Sequence, residues 1–302
     1  MYKSQHYKFI TTPLSKILED SVNAIRGIGS GIETYPLCDY IMQSIFLKMT
    51  GAQEQKMKCI CWEMATNDYE YRREYLENTK KDYGEFSKYD QKNIVYSDLL
   101  KQIRKFDKQF SVEKFKWLVD NEDDAFNKSV NIQCSEEIKK QEKNKSLTGD
   151  EKQKIKDNIT ASANSKREEY IIRGLKILFG EKTKNYIVGV LQNMSFSIWQ
   201  YDCFSIFKES TFFSEKNFAS RSSILENDLK KIYENDVIVH RHRCAHNITS
   251  YQQNLPTLDT LASPDYIYHN YFFRFAILIL IDEIFICLYK KYVEALENNI
   301  NW

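Results

Sequence analysis

Apolar residues recur every three or four positions along most of this 302-residue chain, which is the spacing of one buried face of an α-helix. Near the start, Thr12-Pro13 has the form of a helix cap followed by a proline in the first turn. The apolar positions that follow it are Leu14, Ile17, Leu18, Val22 and Ile25. Two further apolar runs begin near Tyr35 and Ala52, on either side of Gly51. The pattern predicts an all-α, multi-helix bundle with a break between helices at Gly51.

The second half of the chain continues the helical pattern. Asn235-Asp236 is predicted to cap a helix that contains the stretch VHRHRCAHN, residues 239–247. A last helix is predicted from about Pro264 to Asn298. It contains the most apolar segment of the chain, residues 275–289, which is shorter than the ~20 apolar residues of a membrane-spanning helix. We therefore expect a buried core helix, in which the carboxylates of Asp282 and Glu283 need partners and form a salt bridge to another helix.

Residues 135–169 differ from the rest because they mix both signs of charge densely and contain few apolar residues. This composition is typical of a solvated helical hairpin or a mobile insertion. Three regions follow from it. They are a helical N-terminal region over 1–130, either regulatory or part of the bundle, a charged helical hairpin or insertion over 131–180, and a C-terminal core over 181–302.

Composition limits the classes of function. Lysine plus arginine number 43 and aspartate plus glutamate 42, so nucleic acid would be bound by a local patch rather than by net charge. The seven cysteines are scattered without a CxxC pair, which favours a reducing cytosol. The N-terminal residues lack the apolar run of a signal peptide. We expect a cytoplasmic protein without a membrane segment.

The stretch at 239–247 holds three of the five histidines of the chain. His240, His242, Cys244 and His246 alternate, which on a strand would place four metal ligands on one side. The surrounding pattern is helical, however, and on a helix only His242 and His246 share a face. Arginines separate the ligand candidates and no matched Cys/His pair stands elsewhere, so a zinc site is disfavoured.

Phosphodiester cleavage is the chemistry that this set of side chains fits best. Cleaving RNA without a metal requires a group that moves the proton of the ribose 2′-hydroxyl, and a histidine with a pKa near 6.5 does so at neutral pH. It also requires a cation for the charge on the phosphorus, and the guanidinium fork of arginine matches two phosphate oxygens. Tyr251, a few residues later, is a ring on which a base stacks.

The string Arg241-His242-Arg243-Cys244-Ala245-His246 resembles the signature of the HEPN (higher eukaryote and prokaryote nucleotide-binding) superfamily. That signature is an arginine, a polar residue, a short spacer and a histidine. The context is also similar, because the motif lies late in a helical chain and precedes a loop and a long apolar helix. The resemblance covers about residues 186–302.

The resemblance implies a metal-independent endoribonuclease that uses no cofactor. Catalytic members are homodimers whose two motifs form one cleft, and many are toxins or effectors of abortive infection and other antiphage defence. It implies catalytic roles for Arg241 and His246, with His242 orienting them or the phosphate. Arg243 has no fixed role in the family, and we expect it to contact the RNA backbone. The residues after the motif that are candidates for substrate binding are Asn247 and Tyr251.

Restraint of such a nuclease implies a regulatory partner or an antitoxin. Members silenced by nucleotidylation carry a tyrosine two residues after the histidine, and here that residue is Ile248, which disfavours this form of control.

The spacing of the motif gives a geometric expectation. Arg241 and His246 are five residues apart, about 140° around a straight helix, so they reach one phosphate only across a helix end or with a second chain. Two alternatives stay open. The first is a non-catalytic HEPN-like module that binds nucleotides or partners, and the second is a structural role in which the cations merely favour a helix C-terminus.

Two other sets of polar residues are candidates for a ligand site. Gln53, Glu54 and Lys56 lie on the helix that follows Gly51, and we expect a core helix with a charged outer face there. His269 precedes the last helix, and we expect a structural histidine.

Overall fold

The protein is all α-helical. The computed structural model describes residues 4, 6–25, 27–29, 31–78, 86–117, 121–143, 146–192, 194, 201–245 and 262–300. Within these residues there is no strand, and one isolated bridge joins Phe218 and Leu225. The predicted fold class, an all-α multi-helix bundle, is confirmed.

Twelve α-helices, named here in chain order, make up the described structure. They are α1 (Tyr7–Thr11), α2 (Ser15–Ile25), α3 (Tyr35–Asn67), α4 (Tyr69–Asn78), α5 (Tyr89–Phe106), α6 (Glu122–Glu142), α7 (Gly149–Ser165), α8 (Arg167–Leu191), α9 (Tyr201–Glu209), α10 (Asn227–Ile232), α11 (Ile238–Ala245) and α12 (Tyr271–Ile300). Short 3-10 turns cover Ile32–Thr34, Val112–Lys114 and Pro264–Tyr268. A π-helical turn, Tyr233–Val237, joins α10 to α11.

Helix α12 is the centre of the fold. Residues 271–282 are all buried, as expected for a helix that is apolar on every face. It packs against α1, α3, α5, α8, α9 and the π-helical turn. In the described part of the chain, no helix combines the length and the apolar character needed to cross a bilayer. The predicted buried core helix is confirmed.

Of the two acidic residues predicted to pair inside α12, Asp282 forms an ion pair at the middle of the helix, whereas Glu283 accepts a hydrogen bond from the hydroxyl of Thr183 on α8 at 3.4 Å. Oδ1 of Asp282 lies 2.6 Å from Nζ of Lys56 on α3, and both side chains are buried. Asp282 Oδ2 also accepts a hydrogen bond from the backbone N–H of Leu14 at 2.7 Å. Because each buried charge has a partner, the pair joins α3 and the start of α2 to α12 without leaving an isolated charge in the core.

The break predicted at Gly51 is wrong. Helix α3 runs without interruption from Tyr35 to Asn67. Gly51 is exposed, and the apolar face of the helix, including Met49 and Met57, is buried on both sides of it. Packing of that face outweighs the cost of about 1 kcal/mol for one glycine inside a helix.

A second, smaller apolar cluster lies apart from the main core. It is formed by helices α6, α7 and α8, through Ala125, Phe126, Val130, Cys134, Ala163, Ile171 and Leu175. Helices α6 and α8 approach closely at Gly174, where an added Cβ would lie 1.8 Å from the carbonyl oxygen of Ala125. The domain boundaries predicted at 131 and 181 fall inside α6 and α8, and α8 continues into the main core through Phe179, Ile187 and Leu191.

Candidate functional site on helix α11

The arginine and histidine stretch lies on the last turns of one continuous helix. Helix α10, the π-helical turn and α11 follow one another without a gap from residue 227 to residue 245. The cap predicted at Asn235-Asp236 is therefore wrong, because both residues lie inside the π-helical turn. A π-helical turn holds one residue more than an α-helical turn, and such turns are frequent at functional sites.

Asp236 has a buried partner instead of a capping role. Arg274 of α12 donates two hydrogen bonds to its carboxylate, from Nε at 2.8 Å and from Nη2 at 2.6 Å. Arg274 also donates to the backbone carbonyl of His269 at 3.1 Å. This pair fixes the π-helical turn, and with it the start of α11, to the central helix of the fold.

The candidate ligands of the stretch point in different directions. His240 and Cys244, one helical turn apart, share the inner face, where Sγ of Cys244 lies 3.4 Å from Nε2 of His240. His242 is exposed. The strand-like alternation that would gather these side chains on one side is therefore absent from this helix. Among the described residues, no group of three or more histidine, cysteine or acidic side chains is placed to hold a metal ion.

His240 is held as a neutral structural residue. Its ring packs against Phe46, with ring centroids 5.0 Å apart, and its Nε2 lies 3.2 Å from the hydroxyl of Tyr271. Tyr271 in turn donates its hydroxyl proton to Asp39 of α3 at 3.3 Å, so His240 belongs to a chain of polar contacts that joins α11, α12 and α3. Burial, with the charges of Arg274 and Arg243, lowers the pKa of His240 to about 2.

Arg241 points away from this network, towards α3. Its Nη2 lies 3.4 Å from Oε1 of Glu54, and the two side chains are 28% and 15% exposed. The guanidinium is therefore half-buried and held by one long contact, with part of its hydrogen-bonding capacity directed to solvent. Arg243 is half-buried as well. These two cations and the exposed His242 are the described members of the predicted catalytic and substrate-binding set.

The remaining members of that set, His246, Asn247 and Tyr251, lie outside the described residues. The predicted pairing of Arg241 with His246 therefore stays a prediction. His269 is described. Burial lowers its pKa, and its ring packs edge-on against Tyr266 at 5.9 Å, in keeping with the structural role expected of it.

A cavity adjoins the contact between Arg241 and Glu54. It has a volume of about 10 Å³, room for about one water molecule. Its polar lining comes from four parts of the chain, namely Thr50 and Glu54 of α3, Ser87 before α5, Lys92 of α5, and Tyr233 of the π-helical turn with Arg241 of α11. The cavity brings a second cation, Lys92, close to the arginine of the motif.

Sequence reasoning missed two features of this site. The partner of Arg241, Glu54, stands 187 residues earlier, and no local pattern links the two. The burial of Lys92 did have a signal, because it shares a helical face with Val95, Tyr96 and Leu99, which are all buried. A lysine at an apolar position of an amphipathic helix indicates a buried lysine, and this pattern is present in the sequence.

Comparison with protein-family models, with curated proteins and with solved structures finds no match for this chain. The family resemblance therefore rests on the residues of the motif and on its helical setting.

Proposed function

We propose that the protein is a metal-independent endoribonuclease of the HEPN type. The observation that supports this most directly is the placement of Arg241 on α11. Its side chain is 28% exposed and contacts Glu54, and the exposed His242 follows it. A guanidinium that is held by a single long contact and still reaches solvent is suited to bind a phosphate group in two-point fashion.

In the proposed reaction Arg241 holds the scissile phosphate and stabilises the charge that develops on its oxygens. His246 moves the proton when the 2′-oxygen attacks phosphorus. The bond from phosphorus to the 5′-oxygen breaks, the proton ends on that 5′-oxygen, and a cyclic phosphate is left on the other fragment. His242 orients the phosphate or the catalytic pair. Arg243, Asn247 and Tyr251 contact the RNA, and no metal takes part.

The oligomeric state, the location and the biological role are proposed from the resemblance to the HEPN superfamily. The active species is a homodimer in which two copies of the motif form one cleft, and it acts in the cytoplasm as a toxin or as an effector of antiphage defence, restrained by a partner or an antitoxin. The five-residue spacing of Arg241 and His246 supports a shared cleft, because one straight helix does not aim both side chains at one phosphate.

RNA cleavage with and without EDTA tests the proposal. We expect the wild type to cut RNA in both conditions, and Arg241→Ala and His246→Ala to lose at least about 100-fold in rate, as for removal of a principal catalytic group. Arg221→Ala is the matched control, because Arg221 is an exposed arginine that pairs with Glu113 in another part of the chain. Loss of cleavage with EDTA alone would contradict the metal-independent mechanism.

One observation favours a second candidate, a non-catalytic module that binds nucleotides or protein partners. Arg241 already has an internal partner in Glu54, as a purely structural arginine would. For this candidate we expect RNA or nucleotide binding that weakens in Arg241→Ala, without any cleavage by the wild type under conditions in which it is dimeric.

A further inference from the structure

Lys92 is a buried lysine that lines the small cavity beside Glu54 and Arg241. The residue is 2% exposed, and it takes part in none of the ion pairs of the described residues. An ammonium ion in such a place is costly, so buried lysines are usually paired or uncharged. Lys56, the other buried lysine of the core, is paired with Asp282, and Lys92 therefore differs from it.

Charged groups from three other helices act on Lys92. Glu54 on α3 and Asp282 on α12 favour its protonated form, and Arg241 on α11 opposes it. Asp282 is already engaged by Lys56 at 2.6 Å. Tyr233 of the π-helical turn donates its hydroxyl to the carbonyl of Ser87 at 3.0 Å and supplies no charge. Glu54 is thus the acidic group that lines the cavity together with both Lys92 and Arg241.

The contact that Glu54 makes with Arg241 is weak enough to be exchanged. Its length of 3.4 Å is well beyond the 2.7–2.9 Å of a strong charge-assisted hydrogen bond. Moreover, the charge of Lys92 changes at physiological pH, because burial lowers its pKa to about 7. A small change in pH therefore alters how strongly Lys92 attracts the Glu54 carboxylate away from Arg241.

We infer that Lys92 is a positioning residue for Arg241, which competes for the Glu54 carboxylate and leaves Arg241 available to a phosphate group when Lys92 carries a proton. This inference rests on the proposed function, because it concerns the same arginine. When Lys92 is neutral, Glu54 remains on Arg241 and competes with the phosphate. Thermodynamic linkage requires the reverse effect too, so phosphate binding at Arg241 raises the proton affinity of Lys92.

Direct titration of Lys92 tests the coupling without any RNA. The full chain is labelled with ¹³C and ¹⁵N in its lysine side chains, and Lys92→Met identifies the resonance. Arg241→Gln removes a cation, so we expect the pKa of Lys92 to rise by about half a unit or more, and Glu54→Gln to lower it similarly. A titration midpoint that is the same in the wild type and in both variants would overturn the inference, whatever the activity of the protein.

Binding of a non-cleavable, 2′-O-methylated RNA, followed by fluorescence anisotropy from pH 6 to 8.5, tests the consequence for Arg241. As the pH rises over this range, Lys92 loses its proton, and we expect the affinity of the wild type for RNA to fall by about tenfold. Lys92→Met is expected to bind weakly at all pH values and Lys92→Arg tightly at all of them. Histidines that titrate in this range affect all three proteins alike, so the comparison between them isolates Lys92.

The two proposals fail in different ways. If Lys92→Met and Lys92→Arg keep the pH dependence of the wild type, the inference is overturned while the ribonuclease proposal stands. If no protein binds or cleaves RNA at any pH, the proposed function fails, and the lysine titration in Arg241→Gln still decides whether the two cations are coupled. Circular dichroism first establishes that Lys92→Arg is folded before its binding is compared. The titration of Lys92 does not depend on that variant, because it uses the wild type, Arg241→Gln and Glu54→Gln, with Lys92→Met serving only to identify the resonance.

Discussion

Arg274 and Asp236 form a two-point ion pair inside the protein, with hydrogen bonds of 2.8 and 2.6 Å between the guanidinium and the carboxylate. Both side chains are nearly inaccessible, at 9% and 3% exposure. The pair joins the central helix α12 to the π-helical turn that precedes α11. The orientation of α11, and with it that of the Arg241 side chain, therefore depends on a contact that lies outside the motif.

Breaking this ion pair is expected to destabilise the whole fold. Asp236→Ala leaves the guanidinium of Arg274 buried without its partner, which costs about 3–5 kcal/mol. Urea unfolding followed by circular dichroism measures the change. The matched control is Asp228→Ala, because Asp228 pairs with Lys231 at 3.5 Å on the surface, and such a pair contributes about 0–1 kcal/mol. Equal losses in the two variants would contradict the structural role of the buried pair.

Two glycines of helix α8 are expected to respond in opposite ways to alanine. At Gly174 the added Cβ would lie 1.8 Å from the carbonyl oxygen of Ala125, whereas at Gly189 nothing lies within 4 Å. Gly174→Ala should therefore force α6 and α8 apart and cost about 1–3 kcal/mol. Gly189→Ala should gain up to about 1 kcal/mol through helix propensity. Thermal unfolding of both variants provides the test, and a gain at Gly174 would show that the two helices are less closely packed.

His240 is expected to make the fold sensitive to acid. The folded pKa of about 2 is below the unfolded value of about 6.5, so between these values the unfolded chain binds a proton that the folded chain does not. Stability contributed by neutral His240 is present above pH 6.5 and falls as the pH drops through this window, by at most about 1.4 kcal/mol per pH unit.

His240→Gln keeps a hydrogen-bond donor for Tyr271 but does not titrate. We expect the unfolding free energy of this variant to change less than that of the wild type between pH 6.5 and pH 4.5. Parallel curves for the two proteins, measured by urea unfolding at several pH values, would show that His240 is protonated in the folded state.

Lys92 is expected to lower stability most at acidic pH. Its pKa falls from about 10.5 to about 7 on folding. The full cost of burying the charge is therefore present below pH 7 and is relieved as the pH rises towards 10.5, because the unfolded chain binds more protons in that range. Lys92→Met should consequently be more stable than the wild type at pH 6, on the order of 1–4 kcal/mol, and the difference should shrink at pH 9. A difference that is constant with pH would assign it to packing instead of charge.

The features that could be predicted from the sequence are those that depend on neighbouring residues. The apolar spacing over residues 275–289 was sufficient to predict a buried helix. The need of Asp282 and Glu283 for partners was sufficient to predict an ion pair, although not which of the two would form it or that Lys56 would supply the cation. The break at Gly51 was wrong because a local preference of about 1 kcal/mol was outweighed by burial of the helix face on both sides.

The features that could not be predicted depend on residues far apart in the chain. The partner of Asp236 is Arg274, and with that partner the residue belongs inside a helix, although Asn-Asp is a common helix cap. His240 was a candidate ligand as long as its surroundings were unknown. The rings of Phe46 and Tyr271, which come from α3 and α12, make it a neutral core residue.

The order of the helices along the chain also has a consequence for biosynthesis. About 200 residues separate the end of α3 from the start of α12, and a ribosome that adds about 5–20 residues per second needs roughly 10–40 s to bridge them. During this interval the part of α3 that α12 covers is not yet buried, although α1, α2 and α5 also pack on this helix. Glu54 and Arg241 are 187 residues apart in the chain. Their contact, which orients the arginine of the motif, therefore forms only after most of this interval has passed.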